Sequence, residues 1–250
     1  MNTKIKLTAA ALMIFGGGLF IFFLGQNRIF KEGTSPARVE IVGSTGDSSF
    51  LLYFAWDKGY FTDEGLDVVI PTFEVSTLSA EGLIEGEYDM SVMTDFTFAH
   101  LLATNKKASD LKILASIAMV DNNKVLVRKN SNILTPGDIK GKTVGVPKDT
   151  LAEFFLEQFL ERNGLETGDI EVVYLNPTAL VDAIANRKLD AVVGWEPHVY
   201  NIKQLFNFDI HGWPAQNGTK PHFLLVSRGK WLNKNPDTTK KILRAFIKEE

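Results

Sequence analysis

The sequence predicts an α/β fold of two doubly wound lobes with a hinge and an interlobe cleft, preceded by an N-terminal hydrophobic helix. Three observations carry this expectation. From Val39 onward, short apolar runs alternate with amphipathic stretches, the order expected of strands joined by crossover helices in a parallel sheet. The 212 residues after Arg38 suit two units of about 100 residues better than one. The alternation is broken twice, by the polar triplet Asp121-Asn122-Asn123 and by an aperiodic Gly/Pro/Asn-rich stretch between Ile210 and Phe223. The chain would therefore run through lobe one (39–121), lobe two (122–215) and lobe one again (216–250), behind a segment of residues 1–38.

Each element has a local reason. In lobe one, apolar runs bounded by polar or turn residues place strands at Val39–Val42, Val68–Thr72, Met90–Met93 and Leu111–Ala118. Helices fit between them at Ser49–Lys58, Thr77–Glu85 and Phe96–Ala103. Lobe two repeats the alternation, with strands at Val125–Arg128, Thr143–Val146, Glu171–Tyr174 and Ala191–Val193 and helices at Leu151–Asn163, Thr178–Asn186 and Pro197–Gln204. A strand at Phe223–Ser227 and a helix at Pro236–Lys248 close the chain. Ser48, Thr77, Thr94, Thr150 and Thr178 stand where helix N-caps are expected, and Gly164 where a C-cap is.

The N-terminus reads as a membrane-directed segment. No charge interrupts the chain between Lys6 and Arg28, and Leu7–Gly25 is apolar over the length of a spanning helix. The next small-x-small triplet, Ser35-Pro36-Ala37, lies well downstream with proline in its middle, so a retained anchor is expected over a cleaved signal peptide. Lys4 and Lys6 outweigh the flanking charge at Arg28, Lys31 and Glu32, which puts the N-terminus in the cytoplasm and the remainder outside.

Composition excludes several functions. The chain has no cysteine, hence no disulfide, thiolate metal site, cysteine nucleophile or lipid-bearing cysteine. Its 27 Lys and Arg face 30 Asp and Glu, and without residues 1–38 the balance is more acidic still, the wrong sign for a nucleic-acid partner. Neither Gly-x-Gly-x-x-Gly nor Gly-x-Ser-x-Gly occurs. Pro136–Thr143 comes close to a phosphate-binding loop, but its glycines are offset and it leads into a strand where that mechanism requires a helix N-terminus. His100, His198, His211 and His222 show no ligand or triad spacing, so no metal, cofactor or catalytic residue is expected. Acidic pairs such as Asp63-Glu64 read as solvated faces.

The informative pattern is where small polar residues gather. In open α/β sheets ligands sit beyond the carboxyl ends of the strands. Ser44–Ser49, Phe73–Thr77 and Thr94-Asp95 follow lobe-one strands, and Pro147–Thr150, Asn176–Thr178 and Gly194–Pro197 follow lobe-two strands. Together they offer hydroxyls, carboxylates and helix N-terminal amides at one edge of each sheet. Trp195, directly after a strand and before Glu-Pro, suits a stacking wall. These loops contain Asp47, Asp95, Asp149 and Glu196 but only Lys148 as a base, which favours a neutral or cationic organic ligand over an oxyanion.

Several stretches carry a family resemblance: Phe54–Phe61, Glu64–Val68, Gly86–Asp89, Leu134–Val146 and Leu189–Pro197. In order and spacing they resemble the type II periplasmic binding proteins of the nitrate/sulfonate/taurine/pyrimidine class, over residues 39–250. The resemblance implies an extracytoplasmic solute-binding protein that closes on a small molecule and delivers it to an ABC transporter permease. It places ligand-binding residues at Thr45, Asp47, Ser48 and Ser49, at Ser76 and Thr77, at Thr94 and Asp95, at Asn122 and Asn123 in the hinge, at Asp149 and Thr150, and at Trp195 and Glu196. Family members often continue past the helix ending near Glu250, and they commonly carry a cleaved signal or lipidated cysteine where this chain has an apolar segment. A membrane-tethered sensor and an enzyme like the thiamine-pyrimidine synthases are the alternatives that share the fold.

Overall fold

The computed structural model describes residues 35–248. The expected N-terminal hydrophobic helix lies outside the described residues. Among those described, no helix is long and apolar enough to cross a membrane.

The chain folds around two sheets. The first contains β1 (Ala37–Ser44), β2 (Leu66–Val69), β3 (Thr72–Phe73), β4 (Met90–Thr94), β5 (Leu111–Met119) and, from the far end of the chain, β11 (His222–Arg228). The second contains β6 (Lys124–Arg128), β7 (Thr143–Val146), β8 (Glu171–Tyr174), β9 (Ala191–Gly194) and β10 (Ile210–Pro214). Strand order is β2-β1-β4-β11-β5 in the first, with β3 against β1, and β10-β6-β9-β7-β8 in the second. Read from the other end, the second order matches the first strand for strand.

The register matches as well. Ile41 faces Met90 and Val42 faces Ser91 in sheet one, while Val144 faces Ala191 and Gly145 faces Val192 in sheet two. The fourth strand of each sheet, β11 or β6, runs antiparallel to its neighbours. The sheets are thus mixed where βα alternation predicted parallel pairing throughout, because the strands on either side of each crossing between sheets run antiparallel to their neighbours. Proline 71 separates β2 from β3 within the single strand expected over Val68–Thr72, since it supplies no ladder donor. The stretch expected to be aperiodic after Ile210 contains β10, whose His211, Gly212 and Pro214 disguise a strand held to β6 by backbone pairing.

Helices cover both sheets: α1 (Phe50–Asp57), α2 (Tyr60–Asp63), α3 (Ser76–Glu85), α4 (Asp95–Thr104), α8 (Gly229–Lys234) and α9 (Pro236–Ile247) on sheet one, and α5 (Leu151–Arg162), α6 (Pro177–Ala185) and α7 (His198–Leu205) on sheet two. In α5, Leu151, Ala152, Phe155, Leu156, Phe159 and Leu160 are buried, a stripe of helical period against Val144, Val146 and Val193. In α9, Ile242, Ala245 and Phe246 close the core around Phe61, whose ring meets that of Phe246 edge-on at 5.5 Å. The β4 strand is buried at every position because helices cover both its faces.

The two crossings run side by side. Val120 N–H donates to Pro221 O at 3.4 Å and Ala215 N–H to Asn123 O at 3.0 Å. Each crossing leaves the edge strand of one sheet and enters the fourth strand of the other.

Candidate functional site

The carboxyl ends of β1, β4, β7 and β9 open on a cavity between the sheets, with about 550 Å³ of empty space that includes open solvent. Sheet one lines it with Ser44, Ser48, Glu74, Thr94, Thr97 and Phe223 of β11, sheet two with Thr150 and Trp195, and the first crossing with Asn122 and Asn123. Thr94 N-caps α4: its hydroxyl accepts from Thr97 N–H at 2.9 Å and lies 2.9 Å from the Thr97 hydroxyl. Ser44 and Ser48 share a hydroxyl contact, and Ser49 Oγ accepts from Ser44 N–H at 2.8 Å, which folds the loop after β1 into a compact turn. On the other side, Thr150 donates to Pro147 O at 2.7 Å and so fixes the loop ahead of α5. Trp195 stands half-buried, edge-on to His198 at 6.3 Å.

Elements of the two sheets touch across this cavity. Thr178, inside α6, donates to Glu74 Oε1 of the loop after β3. Thr178 therefore does not cap its helix; that position belongs to Asn176, which accepts from Ala179 N–H at 2.8 Å. Thr77 likewise lies inside α3, whose N-cap is Val75. Gly46 packs on Trp195 and Glu196: a Cβ there would sit 3.1 Å from the Glu196 carbonyl and 3.7 Å from the indole. The Phe96 and Phe154 rings meet at 5.4 Å between α4 and α5.

This geometry coincides with a family assignment, since the family model described as NMT1/THI5 like matches residues 31–248. The chain belongs to the NMT1/THI5-like family. Among curated relatives, this NMT1/THI5-like chain is 29% identical over 209 residues to the formylaminopyrimidine-binding protein of Halalkalibacterium halodurans, covering 79% of this chain and 60% of that one. It is 25% identical over 148 residues to the taurine-binding periplasmic protein of Escherichia coli, covering 59% and 45%. The alkanesulfonate-binding protein SsuA of Xanthomonas axonopodis pv. citri, solved bound to MOPS, superposes with a TM-score of 0.72 at 19% identity, covering 86% of this chain and 73% of that one. The chain spans about half the length of the curated relatives it matches.

Within this NMT1/THI5-like chain, the structure brings Ser48, Thr94, Asn122, Asn123, Thr150 and Trp195 together around the cavity. The other expected site residues lie beside it. Thr45 is exposed, Thr77 is half-buried in α3, and the side chains of Asp47 and Ser76 fall outside the description. Ser49 is fully buried beneath the loop. Asp95 turns away to accept from Phe96 N–H at 2.8 Å and from His222 N–H at 3.0 Å. Asp149 is exposed in a left-handed conformation, φ 55°, where its N–H reaches Glu153 at 2.6 Å. That glutamate also accepts from Tyr174 at 2.6 Å, which pushes the phenol up to about 12. Glu196 accepts from Tyr200 N–H at 2.9 Å and serves the start of α7.

Glu74 and Phe223 line the cavity but escape sequence reasoning. Phe223 reads only as the first residue of the expected strand Phe223–Ser227, and Glu74, although inside the polar loop Phe73–Thr77, gains its partner from a residue of the other sheet. Thr97 had a usable signal: it lies three residues after the cap Thr94, on the same face of the first helical turn.

Proposed function

We propose that this protein is an extracytoplasmic solute-binding protein of an ABC importer, and that it captures a small polar organic molecule, neutral or cationic, in the cavity between its lobes. One observation carries the reading. Among the described residues, both sheets line the cavity, and the only charged side chain in that lining is the Glu74 carboxylate. A site with no lysine or arginine is poorly suited to an oxyanion, because a desolvated anion needs charge-assisted donors. It suits a ring or amine that stacks on Trp195 and hydrogen-bonds to Ser48, Thr94, Asn123 and Thr150.

The relatives support this class in part: one is named for a formylaminopyrimidine and another for taurine. In the mechanism, the paired crossings act as a hinge, and a ligand that touches both lobes stabilises the closed form by its differential affinity. The Glu74 to Thr178 and Gly46 to Glu196 contacts then seal the mouth, and the closed face is presented to a membrane permease. No covalent step is needed. Residues 1–38 hold the protein at the membrane in this reading.

Isothermal titration of the purified protein with formylaminopyrimidine, taurine and nitrate tests it. The expected result is a binding heat with formylaminopyrimidine and weaker binding, by about tenfold or more, for nitrate. Tighter binding of nitrate would contradict the ligand class, and no heat from any of the three would contradict solute capture.

A further inference from the structure

The crossings contain a buried amide relay. Gln216 is 4% exposed and Asn123 is 2% exposed. Gln216 Nε2 donates to Val120 O at 3.1 Å and to Thr219 O at 2.9 Å. Carbonyl oxygens only accept, so this end of the Gln216 amide must be nitrogen. Its Oε1 therefore faces Asn123, where it accepts from the backbone N–H at 2.9 Å and from Nδ2 at 3.3 Å. The backbone N–H can only donate, which fixes the same orientation independently. Asn123 must then turn its own nitrogen towards Gln216, and Nδ2 also reaches Asn122 Oδ1 at 3.4 Å.

The consequence falls on Asn123 Oδ1. It is buried, has no hydrogen-bond partner among the described residues, and belongs to a residue that lines the cavity. If the Asn123 amide were free to turn over, it could present either a donor or an acceptor. The relay removes that choice.

We propose that Gln216 is a specificity-determining positioning residue: it locks the Asn123 amide so that a buried oxygen faces the ligand, and the ligand must therefore bring an N–H or O–H donor to this end of the cavity. This rests on the solute-binding reading and narrows it. A donor-bearing ligand satisfies Oδ1, whereas a nitrate or sulfonate oxygen would set lone pairs against lone pairs and leave the buried acceptor unmatched.

The test compares two probes, formylaminopyrimidine and its analogue with every N–H methylated, by titration calorimetry on the full chain. Wild type should prefer the N–H form by about tenfold or more. Gln216→Leu frees the Asn123 amide and should bring the ratio to about 1. Gln216→Glu should keep the wild-type ratio, because its carboxylate still accepts from both Asn123 donors although it cannot serve Val120 and Thr219. A purely structural Gln216 would lower both affinities together in Gln216→Leu and leave the ratio unchanged, which would overturn the proposal. Asn123→Leu, measured in parallel, must lose the ratio too, and a ratio preserved there overturns the proposal even if Gln216→Leu does not fold. Ethanesulfonate binding wild type more tightly than formylaminopyrimidine would remove the donor requirement while leaving solute binding intact. Failure of all three compounds to bind would bring down the solute-binding reading and this inference with it.

Discussion

The fourth strand of each sheet ends in an arginine, and the two arginines make the same bonds. Arg228 donates to Leu83 O, in the last turn of α3, and to Tyr88 O; Arg128 donates to Ile184 O, in the last turn of α6, at 3.1 Å and to Leu189 O at 2.6 Å. An aspartate follows each loop. Asp89 Oδ2 accepts from Glu40 N–H at 2.9 Å, and Asp190 Oδ2 from Thr143 N–H at 3.0 Å. The two lobes are one frame built twice, defined by backbone groups and an Arg/Asp pair.

The surroundings differ. Arg128 is buried and lies 3.9 Å from Asp190, and its desolvation pulls its pKa down, whereas Arg228 is half-buried. Where sheet one has Val42, sheet two has Gly145, on which a Cβ would run into the Leu180 and Leu189 side chains. The contrast extends to the cavity edge. Phe223 pairs with Thr94 in sheet one, and continuing the β6–β9 register by one residue sets Asn123 beside Trp195 in sheet two. Each lobe offers one aromatic and one polar group from equivalent positions. A repeated frame fixes where the side chains stand and leaves their chemistry free to differ.

The largest expected effect separates the arginines. Arg128→Met strands two carbonyls in a buried site and should cost about 3 kcal/mol in chemical denaturation, against about 1.5 for Arg228→Met, where solvent can replace the lost donors. Equal losses would break the comparison. Gly145→Ala should cost about 2 kcal/mol by overpacking, while Gly194→Ala, with nothing within 4 Å of its Cβ position, should change stability by no more than about 0.5 kcal/mol. Thr94→Ala removes a helix cap and should cost about 1 kcal/mol and weaken ligand binding, whereas Trp195→Ala should affect binding far more than stability.

A smaller effect concerns pH. His198 is buried, with no hydrogen-bond partner for Nε2 among the described residues, and burial lowers its pKa below the ordinary 6.5 while Glu74 and Glu196 pull it back up. The unfolded chain therefore takes up the proton first. Stability should fall as pH drops from 6.5 towards the lower folded value and stop responding to this residue once both states are protonated. Denaturation of wild type and His198→Asn at about pH 7.5 and 5.5 checks the sign: the variant should lose less stability on acidification.

Much of the frame was legible because it rests on local pattern. Val39, Ile41 and Val42, or Ala191, Val192 and Val193, announce buried strands by composition, and Thr94 announces a helix start. The first crossing between the sheets falls where the polar triplet Asp121-Asn122-Asn123 ends a long apolar run. What could not be read depends on the other lobe: Glu74 gains its meaning from Thr178, 104 residues away, and Gln216 from Asn123, 93 residues away. The edge strand Ile210–Pro214 was hidden because an edge needs backbone partners on one side only and tolerates Gly and Pro. Asp95, Asp149 and Glu196 show the limit on the acidic loops: Asp149 and Glu196 serve local turns, and Asp95 serves its own helix start and the backbone of His222, which composition cannot distinguish from service to a ligand.

The central claim is that a solute draws the two lobes together. Because the chain has no cysteine, the exposed positions Leu78→Cys in α3 and Asp182→Cys in α6 can carry spin labels on helices of the two different sheets, and pulsed dipolar spectroscopy reads the distance between them. Saturating formylaminopyrimidine should shorten and narrow that distance distribution. An unchanged distribution, with binding verified by calorimetry on the same sample, would contradict closure.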